Sequence, residues 1–170
     1  MVSKNTQARM KFEGKVFKSN FYGDVIVIKY VSKKEVQIRF LNTGYEDNVR
    51  TGELTRGQVK DYSLPSVCGV GIVGKSKTSL NGVPLYEYAL WCGVLRRCYG
   101  SDQSTKSPSY EGCTVSDNFK YFPYFKEWCN KQIGFGKYDW HIDKDLLVKG
   151  NAVYSEDTCI FLPRELNQVI

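Results

Sequence analysis

The stretch "DWHIDKDLLVKGNAVYSEDTCIFLPRELN", residues 139–167, decides the fold of the C-terminal part of this 170-residue chain. Its first apolar run predicts a strand over residues 140–147, and "KGN" is typical of a turn. A return segment follows as far as Phe161, and Pro163 favours a helix start because its missing N–H costs little there. The stretch therefore predicts strand, turn, strand and helix, which together form a ββα unit.

Two helices are predicted before this unit. Between residues 85 and 100, Tyr88, Trp91 and Leu95 recur at spacings of three and four, which places them on one helical face. A second helix is predicted within residues 117–136. Its regular part should begin near Phe122, because Pro123 fits only the first turn of a helix.

The N-terminal part has the alternation of β-strands. "DVIVIKYV" and "EVQIRFL" each place apolar residues at every second position, and glycine-containing turns separate the neighbouring segments. Four or five short strands within about fifty residues are typical of a small, strongly bent barrel. This part resembles a Tudor-like module, a fold whose members often bind nucleic acid or protein partners.

These patterns predict an α+β fold in three parts. Residues 1–64 form the small β-barrel module. Residues 65–84 are rich in Gly, Ser and Pro and form a connecting segment. Residues 85–170 form an α+β domain that ends in the ββα unit.

The positive charge is unevenly distributed along the chain. The net charge is +6, and residues 1–64 hold 12 basic and 7 acidic residues, whereas the remainder holds 12 and 11. This excess favours a polyanionic partner for the N-terminal part, with nucleic acid first. No apolar run is long enough to span a membrane, and the N-terminus lacks the apolar segment of a signal peptide. We therefore expect no membrane partner and a cytoplasmic location.

The six cysteines are widely spaced, and no CxxC pair occurs. This spacing argues against a structural zinc site built from close thiolate pairs. We predict that all six are reduced and that most are buried thiols, as in a cytosolic protein.

Three sequence blocks carry a resemblance to a known family. The pattern "YxxWxxxxxRCY" runs from Tyr88 to Tyr99, and "YxGCxVxxxFxxFxxFxxW" runs from Tyr110 to Trp128. The last block, "LDKDxLxKGNxxYSxxTCxFxPxELN", is matched from Ile142 to Asn167. Together the blocks resemble the HNH-like proteins of bacteriophages, many of which are described as homing endonucleases. The resemblance covers roughly residues 86–167.

The resemblance implies a nuclease site with one replaced residue. In an active HNH motif a strand histidine deprotonates water, and a carboxylate and a helix residue bind a divalent metal, here Mg²⁺. Asp143 and Asn167 match the two metal-binding positions. Lys144 stands where the catalytic histidine is expected, and Thr158 stands where an asparagine usually orients that base. A protonated lysine is a poor base but a good phosphate contact.

His141 is the only histidine, and two interpretations of it remain open. It lies three residues before Lys144, so a strand would direct the two side chains to opposite faces. One interpretation is a partly buried or surface histidine. The other is a shifted active site in which His141 acts with Asp143 and Asp145, which share its face. In a further interpretation, these carboxylates form ordinary ion pairs with Lys144, Lys149 or Arg164.

Several basic residues near the ββα unit are candidate phosphate contacts, with an ordinary solvated surface as the alternative. They are Arg96, Arg97, Lys106, Lys120, Lys149 and Arg164.

The sequence leads to three hypotheses of function. The first is a phage-type DNA-binding protein on an HNH-like scaffold whose hydrolysis is weak or lost, acting in the cytoplasm of an infected bacterial host. The second is an active Mg²⁺-dependent endonuclease that uses His141 or an unusual base. The third is a phage accessory protein whose β module binds a host protein.

Overall fold

The structure is a computed structural model that describes residues 4–101 and 110–167. It divides into two compact units, unit 1 (Met1–Ser63) and unit 2 (Leu64–Ile170). Strands and helices both occur, so the predicted mixed α and β class is confirmed. Within the described residues, no helix has the length and apolarity that a membrane span requires.

Unit 1 is a four-stranded antiparallel sheet flanked by two helices, with strand order β1-β2-β3-β4. Alternation in β2 and β3 directs Val25, Val27, Val36, Ile38 and Phe40 inward, and all five are buried. The elements are α1 (Lys4–Phe12), β1 (Val16–Ser19), β2 (Gly23–Ser32), β3 (Glu35–Phe40), β4 (Glu46–Val49) and α2 (Thr51–Thr55).

The sheet of unit 1 is open, in contrast to the predicted closed barrel. No ladder joins β1 to β4 among the described residues, and the chain after β4 enters α2 instead of a fifth strand. The segment after α2 then lies beside the end of β1 and is joined to it by isolated hydrogen bonds, not by a ladder. The backbone N–H of Asn20 donates to the Gly57 carbonyl (2.9 Å), and Ser19 Oγ donates to the Val59 carbonyl (2.8 Å).

Unit 2 combines four helices with short strand pairs. The predicted helix around Trp91 is confirmed. The elements are β5 (Ser79–Leu80), β6 (Val83–Pro84), α3 (Tyr86–Tyr99), β7 (Thr114–Val115), α4 (Asp117–Lys120), α5 (Phe122–Lys131), β8 (Trp140–Asp143), β9 (Val153–Tyr154), β10 (Ile160–Pro163) and α6 (Arg164–Asn167).

Aromatic side chains fill the core of unit 2. Trp91, Phe119, Phe122 and Phe125 are fully buried. The indole N–H of Trp91 donates to the Phe119 carbonyl (2.6 Å). The polar group of this large buried side chain therefore has a hydrogen-bond partner. This contact fixes α3 against the junction between α4 and α5.

Residues 65–84 pack into unit 2, although the sequence predicts a connecting segment. The Ile72 backbone N–H donates to the Lys120 carbonyl (2.8 Å), and its carbonyl accepts from the Phe122 N–H (2.9 Å). Gly71 lies so close to α3 that a Cβ there would be 2.4 Å from the Leu95 side chain. The same pairing separates α4 from α5, so the regular helix begins at Phe122 as predicted.

A disulfide joins Cys98 at the end of α3 to Cys113 before β7, so the prediction of six reduced cysteines is wrong for this pair. The spacing gave no indication of it, because packing of α3 beside β7 brings the two residues together. The other four are free thiols, of which Cys129 and Cys159 are buried.

The predicted strand, strand, helix order is present at the end of the chain. β8 pairs antiparallel with β10, with Ile142 opposite Phe161, and α6 follows directly. β8 ends at Asp143, earlier than predicted. The Asp143 carboxylate accepts the backbone N–H groups of Asp145 (2.9 Å) and Leu146 (2.7 Å), which turns the chain out of the strand.

Candidate functional site

A cleft of about 1030 Å³ lies in unit 2 beside the ββα segment. Its wall includes β8 and the following loop, together with Arg97 of α3 and Tyr110. Among the described residues, four cations and four carboxylates line it, so this part of the lining has no excess of positive charge. The charged lining residues are Arg97, Lys137, Lys144, Lys149, Glu111, Asp139, Asp143 and Asp145.

Lys144 is buried, with 6 % of its surface exposed, and its ammonium group is fully engaged. Nζ donates to both carboxylate oxygens of Asp145 (2.7 and 2.6 Å) and to the Asn151 carbonyl (2.9 Å). An ammonium group has three N–H donors, and three acceptor atoms surround this one. Lys144 therefore holds the loop in place, with its ammonium group directed at acceptors of the loop itself.

Asn151 closes the same loop from its other end. Its Nδ2 donates to the carbonyls of Lys144 (2.8 Å) and Val153 (2.7 Å), and its Oδ1 accepts the Val153 N–H (3.1 Å). Sequence reasoning assigned no role to this residue beyond the turn. Its position after a glycine in "KGN" is consistent with turn chemistry, but its partner Lys144 is visible only in the fold.

His141 lies outside this network. Its Nε2 is 3.5 Å from the Asp139 carboxylate, and both side chains are about half exposed. In the alternation of β8 its neighbour Ile142 is buried, and Lys144 continues the buried side. The carboxylates that a shifted site would use are engaged elsewhere, since Asp143 caps the turn and Asp145 pairs with Lys144.

Thr158 is the residue that the HNH resemblance matches to the asparagine that orients the base. Its hydroxyl makes hydrogen bonds within the fold. Its hydroxyl donates to the Val153 carbonyl (2.9 Å) and lies 2.8 Å from Ser155 Oγ. Both contacts stay within the segment that joins β9 to β10. The neighbouring Cys159 is buried, and burial raises its pKa to about 12, so this thiol is neutral and unreactive at neutral pH.

Arg97 is the predicted phosphate contact with the most specific surroundings. It lies 5.7 Å from the centre of the Tyr110 ring and donates to the Tyr154 hydroxyl (3.4 Å). Burial of the Tyr154 side chain raises its pKa to about 12, although the nearby guanidinium opposes this shift. The tyrosine hydroxyl is therefore neutral, and Arg97 has no carboxylate partner in these contacts.

The other predicted phosphate contacts are scattered. Arg96 is exposed on α3, and Lys120 pairs with Asp117 (2.8 Å). Lys149 is exposed at the cleft, and Arg164 is exposed at the start of α6. Lys106 lies outside the described residues. The structure thus brings Arg97 and Lys149 to one cleft, whereas Arg96 and Lys120 do not line it.

The predicted magnesium site has one described ligand. Magnesium prefers oxygen ligands, commonly one or two carboxylates with water and phosphate. Asp143 lies at the cleft, but one of its oxygens already accepts two backbone N–H groups. Asn167 ends α6, and its side chain is outside the described part of the structure. Across residues 4–101 and 110–167, no three His, Cys, Asp or Glu side chains form a metal-binding group.

Comparison of the chain with protein-family models, with curated proteins and with solved structures gave no match.

Proposed function

We propose that this protein binds DNA through unit 2 and does not hydrolyse it. The scaffold is a ββα unit similar to that of HNH nucleases, in which the position of the general base is held by Lys144. The observation that carries the proposal is the pairing of the Lys144 ammonium with Asp145 and Asn151. A charged lysine with three acceptors cannot accept a proton from water, so strand cleavage lacks its base.

DNA contact is assigned to cations at the cleft and at α6. Arg97 lies over the Tyr110 ring, and its guanidinium is a planar fork of donors, the geometry that suits phosphate oxygens. Lys149 and Arg164 are exposed nearby on the loop and the helix that belong to the ββα unit. Such contacts position a protein on DNA without reading its sequence. In this proposal a magnesium ion at Asp143 and Asn167 would serve only to neutralise phosphate charge.

A plasmid assay tests both parts of the proposal. Supercoiled plasmid is incubated with the protein and Mg²⁺ or Mn²⁺, and binding is measured in parallel at several salt concentrations. We expect no nicking. We also expect the affinity for DNA to fall steeply as the salt concentration rises, because binding releases counterions from the DNA and this release is less favourable at high salt.

Variants separate the alternatives. Metal-dependent nicking that disappears in Asn167→Ala, but persists in the matched control Asn130→Ala on α5, would show an active nuclease. Nicking that disappears in His141→Ala would identify the shifted base. Absence of any salt-sensitive binding would reject the DNA-binding proposal and favour a protein partner.

A further inference from the structure

The turn between β1 and β2 in unit 1 presents an aromatic ring to solvent. Phe21 has 88 % of its surface exposed, although phenylalanine is normally buried. Leu41 is also exposed, and its N–H bonds to the carbonyl of Asp24, next to the turn, so a second apolar side chain stands at this end of the sheet. We refer to the turn from Ser19 to Gly23 as the Phe21 turn.

The Phe21 turn is held in one conformation by its own side chains. Ser19 Oγ accepts the N–H groups of Phe21 (3.4 Å) and Tyr22 (3.2 Å) and donates to the Val59 carbonyl (2.8 Å). Asn20 Nδ2 donates to the Arg56 carbonyl (3.2 Å). A Cβ on Gly57 would lie 2.5 Å from the Asn20 side chain, so the packing here is tight. The ring of Phe21 is therefore exposed on a fixed turn.

The same hydrogen bonds bring basic residues to this turn. Arg56 and Lys60 flank the segment that bonds to Asn20 and Ser19, and Lys18 precedes the turn on β1. All three are exposed, and none forms an ion pair with another described residue. Lys60 lies 5.2 Å from the centre of the Tyr62 ring.

Carboxylates are few at this end of unit 1. Asp61 is buried, and its oxygens accept hydrogen bonds from Thr43 and Ser63. Asp24, opposite Lys18 in the β1–β2 ladder, directly follows the turn and is exposed, and Glu46 at the same end of the sheet pairs with Arg39 (2.6 Å). Unit 1 as a whole holds 12 basic and 7 acidic residues, whereas charges in the cleft of unit 2 are balanced. The positive excess of the chain therefore lies in the unit that carries Phe21.

We infer that the Phe21 turn binds single-stranded nucleic acid, with Phe21 stacking on an unpaired base and Lys18, Arg56 and Lys60 contacting the adjacent phosphates. An exposed aromatic ring on a hydrogen-bonded turn among cations is an arrangement that suits such ligands, because every base has a stacking face and every nucleotide a phosphate. This inference goes beyond the proposed function, since it concerns unit 1 and a single strand.

The test measures the anisotropy of a fluorescent twelve-nucleotide oligothymidine titrated with the full chain. Phe21→Ala should weaken binding about 5- to 100-fold, the effect of losing one stacked base. Phe21→Trp should retain affinity, whereas Phe21→Leu should lose it, since leucine is apolar but cannot stack. Met10→Ala, another exposed apolar position in unit 1, is the control and should bind as the wild type does.

Charge variants test the phosphate contacts. Lys18→Glu/Lys60→Glu should weaken binding and reduce its salt slope by about 0.7 for each lost phosphate contact. Lys33→Glu/Lys34→Glu, in the β2–β3 turn at the opposite end of the sheet, changes the charge equally and should have a smaller effect. Equal effects of the two double variants would overturn the assignment to this turn.

Two further outcomes would overturn the inference and leave the proposed function intact. One is duplex plasmid binding by a protein that does not bind the oligonucleotide. The other is unchanged oligonucleotide affinity in Phe21→Ala. The reverse result is also possible. If the wild type does not bind duplex DNA but binds the oligonucleotide, and Phe21→Ala loses that binding, the inference is supported and the proposed function fails.

Discussion

Lys144 and Asn151 exchange two hydrogen bonds across the loop that follows β8. The Lys144 ammonium donates to the Asn151 carbonyl (2.9 Å), and the Asn151 amide donates to the Lys144 carbonyl (2.8 Å). The residue at the expected position of a catalytic base is therefore a structural partner of a residue seven positions later. Between them lie Leu146, Leu147 and Val148, which remain exposed.

Replacement of Asn151 tests this loop closure. Asn151→Ala removes three side-chain hydrogen bonds and leaves the Lys144 carbonyl without its amide partner. We expect the free energy of unfolding to fall by about 1–3 kcal/mol. Urea unfolding followed by tryptophan fluorescence measures it, because all three tryptophans lie in unit 2. Asn130→Ala removes two hydrogen bonds of an exposed side chain, to Glu87 and to the Lys126 carbonyl, and should cost less than Asn151→Ala because water can replace them. Equal losses would contradict the prediction.

The Lys144–Asp145 pair should respond asymmetrically to mutation. Asp145→Ala leaves a buried ammonium without its carboxylate, whereas Lys144→Met leaves a carboxylate with 39 % of its side chain exposed, which water can solvate. We expect Asp145→Ala to be the more destabilising variant by about 1–3 kcal/mol. The same urea titration compares them. Lys144→Met as the more damaging change would contradict this prediction, and would show that the hydrogen bonds of the ammonium group outweigh the cost of leaving it without a carboxylate.

Glu156 should make the stability of unit 2 depend on pH. Burial alone would raise the pKa of its carboxyl, but hydrogen bonds from Asn118, Ser116 and Tyr124 lower it below the usual value. A carboxyl with a lowered folded-state pKa stabilises the fold above its unfolded pKa of about 4.3. This contribution is lost as the pH falls through the lower folded-state pKa.

Comparison of Glu156→Gln with the wild type measures that contribution. At pH 6.5 the variant should be less stable by about 1 kcal/mol, and the difference should shrink below about pH 4. Asp157→Asn removes a neighbouring exposed charge and serves as the control. A difference that stays constant between pH 6.5 and pH 3.5 would show that the ionised carboxylate is not the stabilising form.

The disulfide predicts the thiol content of protein purified without reductant. In denaturant, a thiol reagent should titrate four cysteines, because Cys98 and Cys113 are joined. Six titrated thiols would contradict the disulfide. Cys98→Ser/Cys113→Ser should lower the free energy of unfolding by about 3 kcal/mol, the value for a loop of this length. The control is Cys68→Ser/Cys92→Ser, which replaces two free, half-buried cysteines and should cost less.

Much of the fold could be predicted from local patterns. Two-residue alternation predicted β2 and β3 as strands, and spacings of three and four residues predicted α3 with Trp91 on its apolar face. The start of α5 near Phe122 followed from the restricted backbone of Pro123. These features depend on interactions within a few residues, so a single sequence contains them.

The geometry of the site was less predictable, because the hydrogen-bond partners of its residues do not follow from sequence spacing or periodicity. Asp143, Lys144 and His141 were named from the sequence, but the pairing of Lys144 with Asp145 and Asn151 depends on how the loop folds back. Asp143 was expected within a strand, yet its side chain ends that strand by capping two N–H groups. Nothing in the sequence indicated that Phe21 is exposed, because phenylalanine is normally buried.

The sequence by itself determined strands β2 and β3, helix α3, the start of α5 and the concentration of positive charge in unit 1. Only the tertiary structure decided that the sheet of unit 1 stays open, that residues 65–84 join unit 2, and that Cys98 meets Cys113. The physical reason is the distance along the chain over which each interaction acts. Backbone preference and periodicity act between neighbours, whereas ion pairs, disulfides and strand closure need segments that only packing brings together.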